Sequence, residues 1–68
     1  MNTALLKACM ARNKDTQAKL AKDMGLSLSR LNAKINEASG AEFTQSEIAF
    51  CVKRYCLSNE EAMAIFFS

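Results

Sequence analysis

The stretch Thr16-Gln17-Ala18-Lys19-Leu20-Ala21-Lys22-Asp23-Met24-Gly25-Leu26-Ser27-Leu28-Ser29-Arg30-Leu31-Asn32-Ala33-Lys34-Ile35-Asn36 decides how this chain reads. Leu20, Ala21 and Met24 recur at helical spacing and give a first short element one apolar stripe, with Lys19, Lys22 and Asp23 outside it. Gly25 follows the last apolar residue, where a chain leaving a helix needs positive φ at no steric cost. Ser27 then stands as the N-cap of a second helix. Leu26 before that cap and Leu31 four residues after it have the spacing of a hydrophobic staple. Ala21 is small where a sharp helix pair brings two backbones close. The pattern predicts two short helices joined by a tight turn.

Steps of 100° from Leu28 place Leu28, Leu31 and Ile35 on one side of the second helix. Ser29, Arg30, Ala33 and Asn36 lie opposite, flanked by Asn32 and Lys34, and no carboxylate occurs before Glu37. A helix in the major groove needs short side chains for close approach, amide or guanidinium donors for base edges, and no negative charge against phosphate. This outer face meets all three requirements, whereas an ordinary solvated face mixes both signs.

Composition narrows the alternatives. Sixty-eight residues make one small domain, 1–68, near the lower size at which a core holds without staples. Half the residues are apolar, proline is absent and only two glycines occur, so an all-α fold is expected. The longest apolar stretch, Ala62 to Phe67, is far short of the roughly 20 residues of a membrane span, and no signal-peptide core is present. No membrane association and a cytoplasmic location are expected.

The net charge of +2 is unevenly spread. Residues 1–36 hold Lys7, Arg12, Lys14, Lys19, Lys22, Arg30 and Lys34 against Asp15 and Asp23, a balance of +5. Residues 37–68 hold Lys53 and Arg54 against Glu37, Glu42, Glu47, Glu60 and Glu61, a balance of −3. Such polarity orients a domain toward a polyanion, with the helix pair in the cationic part.

Cys9, Cys51 and Cys56 are odd in number and lack a Cys-x-x-Cys pair, and there is no histidine for a Cys/His metal site or nucleophile. They read as reduced, small core hydrophobes. No metal, cofactor or small-molecule ligand is expected. Nor is an enzyme, since paired carboxylates at productive spacing and a phosphate-binding glycine loop are both missing.

The remaining segments read as support. Asn2 or Thr3 can cap a first helix whose Leu6, Cys9 and Met10 share a face and which frays near Asn13. Residues 37–43 read as a loop. Thr44-Gln45-Ser46-Glu47 is a capping box with Phe43 and Ile48 at staple spacing, and the helix behind it runs through Cys51, Val52 and Tyr55. Ser58-Asn59-Glu60-Glu61 repeats the box and opens a fifth helix ending in Ile65, Phe66 and Phe67. Those last three are more apolar than one buried stripe demands, and they are either core or a homodimer surface.

The run from Thr16 to Asn36 resembles the helix-turn-helix of the Cro/repressor (XRE-like) class of phage and bacterial regulators, through Gln17, Leu20-Ala21, Gly25 and Leu31. It is also similar to a narrower group of small phage-borne regulators from Gram-positive hosts, through Leu31-Asn32-Ala33-Lys34-Ile35-Asn36, Phe43 to Ile48, and Leu57-Ser58 to Phe66-Phe67. The resemblance implies a compact five-helix, lambda-repressor-like domain that binds operator DNA, usually as a dimer. It assigns Gln17 to a phosphate anchor, Ser27, Leu28, Ser29, Asn32 and Ala33 to the groove, and Asn36 to the DNA backbone. Lys34 departs from the pattern, standing where the class carries a large apolar residue, with Ile35 taking the core role. Leu28 is contested, because its helical phase faces the core.

Sequence-specific binding of double-stranded DNA by a transcriptional repressor is therefore the expected function. Ser27, Leu28, Ser29, Arg30, Asn32 and Ala33 are the expected base readers, and Thr16, Gln17, Lys19, Lys34 and Asn36 the expected phosphate contacts. The alternative is a protein-interaction module, antitoxin-like or anti-repressor, on the same fold.

Overall fold

The computed structural model describes residues 1–67. Within these residues five α-helices follow one another: α1 (Thr3–Arg12), α2 (Gln17–Met24), α3 (Leu28–Ile35), α4 (Gln45–Arg54) and α5 (Asn59–Phe66). Among the described residues there is no strand. Among the described residues no helix is long and apolar enough to cross a membrane.

Each helix starts where a side-chain oxygen can take the amide three residues on. Asn2 accepts from Leu5, Thr16 from Lys19, Ser27 from Arg30, Thr44 from Glu47 and Ser58 from Glu61. The Thr44/Glu47 and Ser58/Glu61 boxes both close reciprocally. Caps of this kind contribute about 1 kcal/mol each.

Helix ends are less uniform in sequence than in geometry. Gly25 closes α2 at φ +75°, its N–H on the Lys22 carbonyl and the Leu26 N–H on the Ala21 carbonyl. A Cβ there would meet no atom within 4 Å, so the torsion alone asks for glycine. The same closure ends α1 and α4 without glycine. Lys14 (φ +53°) and Cys56 (φ +52°) take the left-handed conformation, while Asp15 N–H reaches the Met10 carbonyl and Leu57 N–H reaches the Val52 carbonyl.

The core is made of Leu6, Cys9, Met10, Leu20, Ala21, Leu31, Ile35, Cys51, Tyr55, Leu57, Ile65 and Phe66. Helix α2 packs on α3 and α1 on α5. Of the residues at staple spacing, Leu31 is buried in this core and Leu26, Phe43 and Ile48 are partly buried against it. The Phe43 and Phe66 rings meet edge to face at 5.9 Å. The Thr3 hydroxyl donates to the Ile35 carbonyl at 3.1 Å and the Asn2 N–H to the Ile65 carbonyl, which ties α1 to the ends of α3 and α5.

The structure corrects the sequence reading at several positions. Leu28 does not face the core and is 50% exposed. It is the first residue of α3, and helical side chains lean toward the N-terminus, so it projects past the helix end rather than onto a preceding turn. Ile65 and Phe66 are buried in the monomer, because α5 lies back against α1, and Phe67 alone of that trio is exposed, at 57%. Cys9 and Cys51 are core residues, and burial pushes the Cys51 thiol up to about 12. Cys56 is not a core residue, since the left-handed turn that ends α4 leaves it at the surface. The segment read as a loop winds a short 3-10 turn over Ala38–Gly40.

Candidate nucleic-acid interface

The surface of interest starts from the cap on α3. Ser27 accepts the Arg30 N–H at 3.1 Å, which fixes where the helix begins. With Leu31 and Ile35 turned into the core, Ser27, Leu28, Ser29, Arg30, Asn32 and Asn36 all lie exposed and Ala33 is half-buried. From Leu28 to Ile35 there is no acidic residue. Helices α4 and α5 differ in carrying Glu47 and the pair Glu60, Glu61 in their first turns. The N-terminal dipole of α3 therefore meets no side-chain carboxylate of its own, the condition under which an external anion is attracted.

Three amides join α2 to α3. Asn36 donates to the Asn32 side-chain oxygen at 2.6 Å, and Asn32 donates to the Gln17 side-chain oxygen at 3.2 Å. The chain runs one way and ends on Gln17 at the start of α2, with the Gln17 amide N–H groups not engaged among the described residues. Thr16 caps α2 and Lys19 stands exposed one turn on. The expected residues Thr16, Gln17, Lys19, Asn32 and Asn36 are thus brought onto the same α2–α3 pair.

Lys34 stands apart from that set. Its ammonium lies 2.9 Å from Glu47 and 3.0 Å from the Glu42 carbonyl, and only 12% of the side chain is exposed. Burial opposes the charge on Glu47, but the Thr44 N–H and Lys34 hold its carboxyl below the usual carboxylate range. Lys34 ties α3 to α4 from the inner side.

The acids of the cationic part are neutralised from the acidic part. Arg54, in the last turn of α4, donates from Nε and Nη2 to the two oxygens of Asp15 at 2.8 and 3.1 Å, and from Nη1 to Asp23 at 2.6 Å. Tyr55 donates its phenol to Asp15 at 2.5 Å. The Arg54 guanidinium lowers the Asp15 pKa to about 2 against the opposing effect of burial. Burial, then the bond to Asp15, raises the Tyr55 phenol. Lys7, Lys14, Lys19, Lys22, Arg30 and Lys53 make no ion pair among the described residues. All but Lys53 come from residues 1–36. Lys14 and Lys19 line an open cleft of about 300 Å³ with Asn13, Asp15, Arg54 and Tyr55.

Arg54 and Tyr55 were not legible as part of this region. They sit in the acidic part of the sequence on a different helix, and no local pattern links them to residues some forty positions earlier. Comparison with family models, curated proteins and solved structures gives no match.

Proposed function

We propose that this chain binds double-stranded DNA sequence-selectively, as a repressor-type regulator of transcription. In this reading α2, Gly25 and α3 form a helix-turn-helix of the Cro/repressor (XRE-like) kind and α3 enters the major groove. The observation that carries it is the exposed, carboxylate-free start and outer side of α3, with Arg30 unpaired beside two engaged but solvent-facing asparagines. Arg30 favours guanine by its paired donors, Asn32 favours adenine, and Ser27, Ser29 and Ala33 allow close approach. Leu28, exposed at the helix tip, offers an apolar contact to a thymine methyl. Thr16, Gln17, Lys19 and Asn36 set register on phosphate. Lys34 is left out of the set because Glu47 holds it.

One such head spans few base pairs, and symmetric regulators place two about 34 Å apart on successive grooves. Phe67, with Met63 59% exposed on α5, is the surface offered to a second copy. Sedimentation of the wild type and Phe67→Glu tests this, and an unchanged mass removes Phe67 from the interface.

The decisive experiment is a binding selection from a random duplex library, read beside mobility shifts at low salt. A recovered motif with two-fold symmetry is expected. No shift with any duplex would overturn the reading. A protein-interaction module remains the second reading, favoured by the exposed Leu5, Met63 and Phe67, and it predicts no shift under those conditions.

A further inference from the structure

We propose that Arg54 is the positioning residue of the DNA face, one guanidinium gripping α2 at both ends and so fixing the attitude of the α2–α3 pair on the domain. The inference rests on the DNA-binding reading and deepens it.

Helix α2 has eight residues and buries only Leu20 and Ala21. Those two and the partly buried Met24 fix its depth, but apolar packing alone constrains the tilt of so short a helix weakly, since packed helices scatter by some 15–20° about a preferred crossing. The polar contacts lie at the ends instead. Asp15 immediately precedes the Thr16 cap and Asp23 lies in the last turn, so the two carboxylates that meet on Arg54 come from opposite ends of α2. All three guanidinium nitrogens of Arg54 are engaged, two on Asp15 in a fork and one on Asp23.

The grip is anchored on both sides. Asp15 also takes the Tyr55 phenol and the Thr16 N–H at 2.9 Å, which joins the carboxylate to α4 and to the cap of α2. Arg54 stands three residues after Cys51 of the core on α4 and immediately precedes the buried Tyr55. No buried side-chain nitrogen or oxygen among the described residues lacks a partner. Helix α2 in turn carries α3 through packing and the Gln17–Asn32 bond, so a tilt of α2 displaces phosphate anchors and base readers together. Lysine cannot replace this device, because a single ammonium lacks the planar fork that reaches both carboxylates.

The test compares wild type, Arg54→Lys and Asp23→Asn at a temperature where each is folded by circular dichroism. Residue-resolved amide exchange and duplex affinity across a salt series are measured together, with the duplex taken from the selection above. Arg54→Lys is expected to raise exchange in α2 relative to α4. It is also expected to weaken duplex binding on the order of tenfold with the salt slope unchanged, because Arg54 touches no phosphate. Asp23→Asn, which keeps an acceptor but removes the charge of one arm, should move both readouts in the same direction by less, and it carries the test if Arg54→Lys does not fold. Wild-type affinity in the folded variants, or α2 exchange unchanged relative to α4, would overturn the proposal. So would a salt slope lowered by about one, since that marks Arg54 as a phosphate contact. A wild-type chain that binds no duplex overturns the DNA reading itself, and the exchange comparison then decides the grip alone.

Discussion

Asn32 on α3 donates its side-chain amide to Gln17 on α2 at 3.2 Å, and does so while accepting from Asn36 at 2.6 Å. The residue expected to read a base is thereby tethered to the residue expected to hold a phosphate. Its orientation is set before any ligand arrives, which lowers the ordering cost of binding.

Substitutions on this face should separate reading from anchoring. Arg30→Ala is expected to cost about 1–3 kcal/mol in duplex affinity and to relax preference at one base pair. Lys19→Ala should weaken all duplexes alike and lower the salt slope by about one. Fluorescence anisotropy on the selected and on random duplexes distinguishes them. Both side chains are exposed and unpaired, so the thermal midpoints should stay close to wild type.

Lys34→Met makes the opposite prediction. Removing the ammonium leaves Glu47 with the Thr44 N–H but without its cation, at a site where the carboxylate side chain is 17% exposed. A loss on the order of 1 kcal/mol in urea unfolding is expected, together with unchanged affinity of the folded protein for duplex. A reduced salt slope would return Lys34 to the phosphate set.

Acid should weaken the fold through Asp15. Its folded value of about 2 lies below the ordinary value near 3.9 of an unfolded aspartate. The stabilisation is therefore complete above pH about 4 and is lost as pH falls through about 2, amounting to roughly 2 kcal/mol. Urea midpoints measured from pH 6 to pH 2 should show this decline in the wild type. Asp15→Asn should be less stable at neutral pH and correspondingly flatter across the acid range.

The helix ends supply a paired test of backbone strain. Gly25→Ala forces a Cβ into the left-handed region and should cost about 1–2 kcal/mol, although the space around it is open. Cys56→Gly relieves the same conformation at φ +52° and should stabilise by up to about 1 kcal/mol. Thermal unfolding of the two single variants checks both signs.

What was legible in the sequence was local. Ser27, Thr44 and Ser58 announce helix starts through contacts three residues long, and helical spacing within each element, Leu20 with Ala21, Leu31 with Ile35 and Cys51 with Tyr55, marks the core faces. Gly25 announces its turn because glycine is the common solution to a left-handed torsion. Lys14 and Cys56 reach the same torsion with side chains that carry no such signal. Leu28 carried two readings because the helical wheel ignores where the helix begins, and its exposure removes the core one. Ile65 and Phe66 had two readings until α5 was seen against α1. Arg54, Tyr55 and the Lys34–Glu47 pair could not be anticipated, since each depends on which helices meet rather than on any spacing along one of them.

Arg54, Tyr55 and Glu47 all lie C-terminal to the helix pair they steady. A peptide cut after Asn36 would retain every side chain named for contact with DNA. It would nonetheless leave Asp15 and Asp23 as bare negative charges at either end of α2, and free Lys34 to swing outward. The α2–α3 segment is consequently not a transplantable cassette: grafted onto another scaffold, it would need a host arginine reaching both aspartates before its outward side regained the electrostatic character it has here.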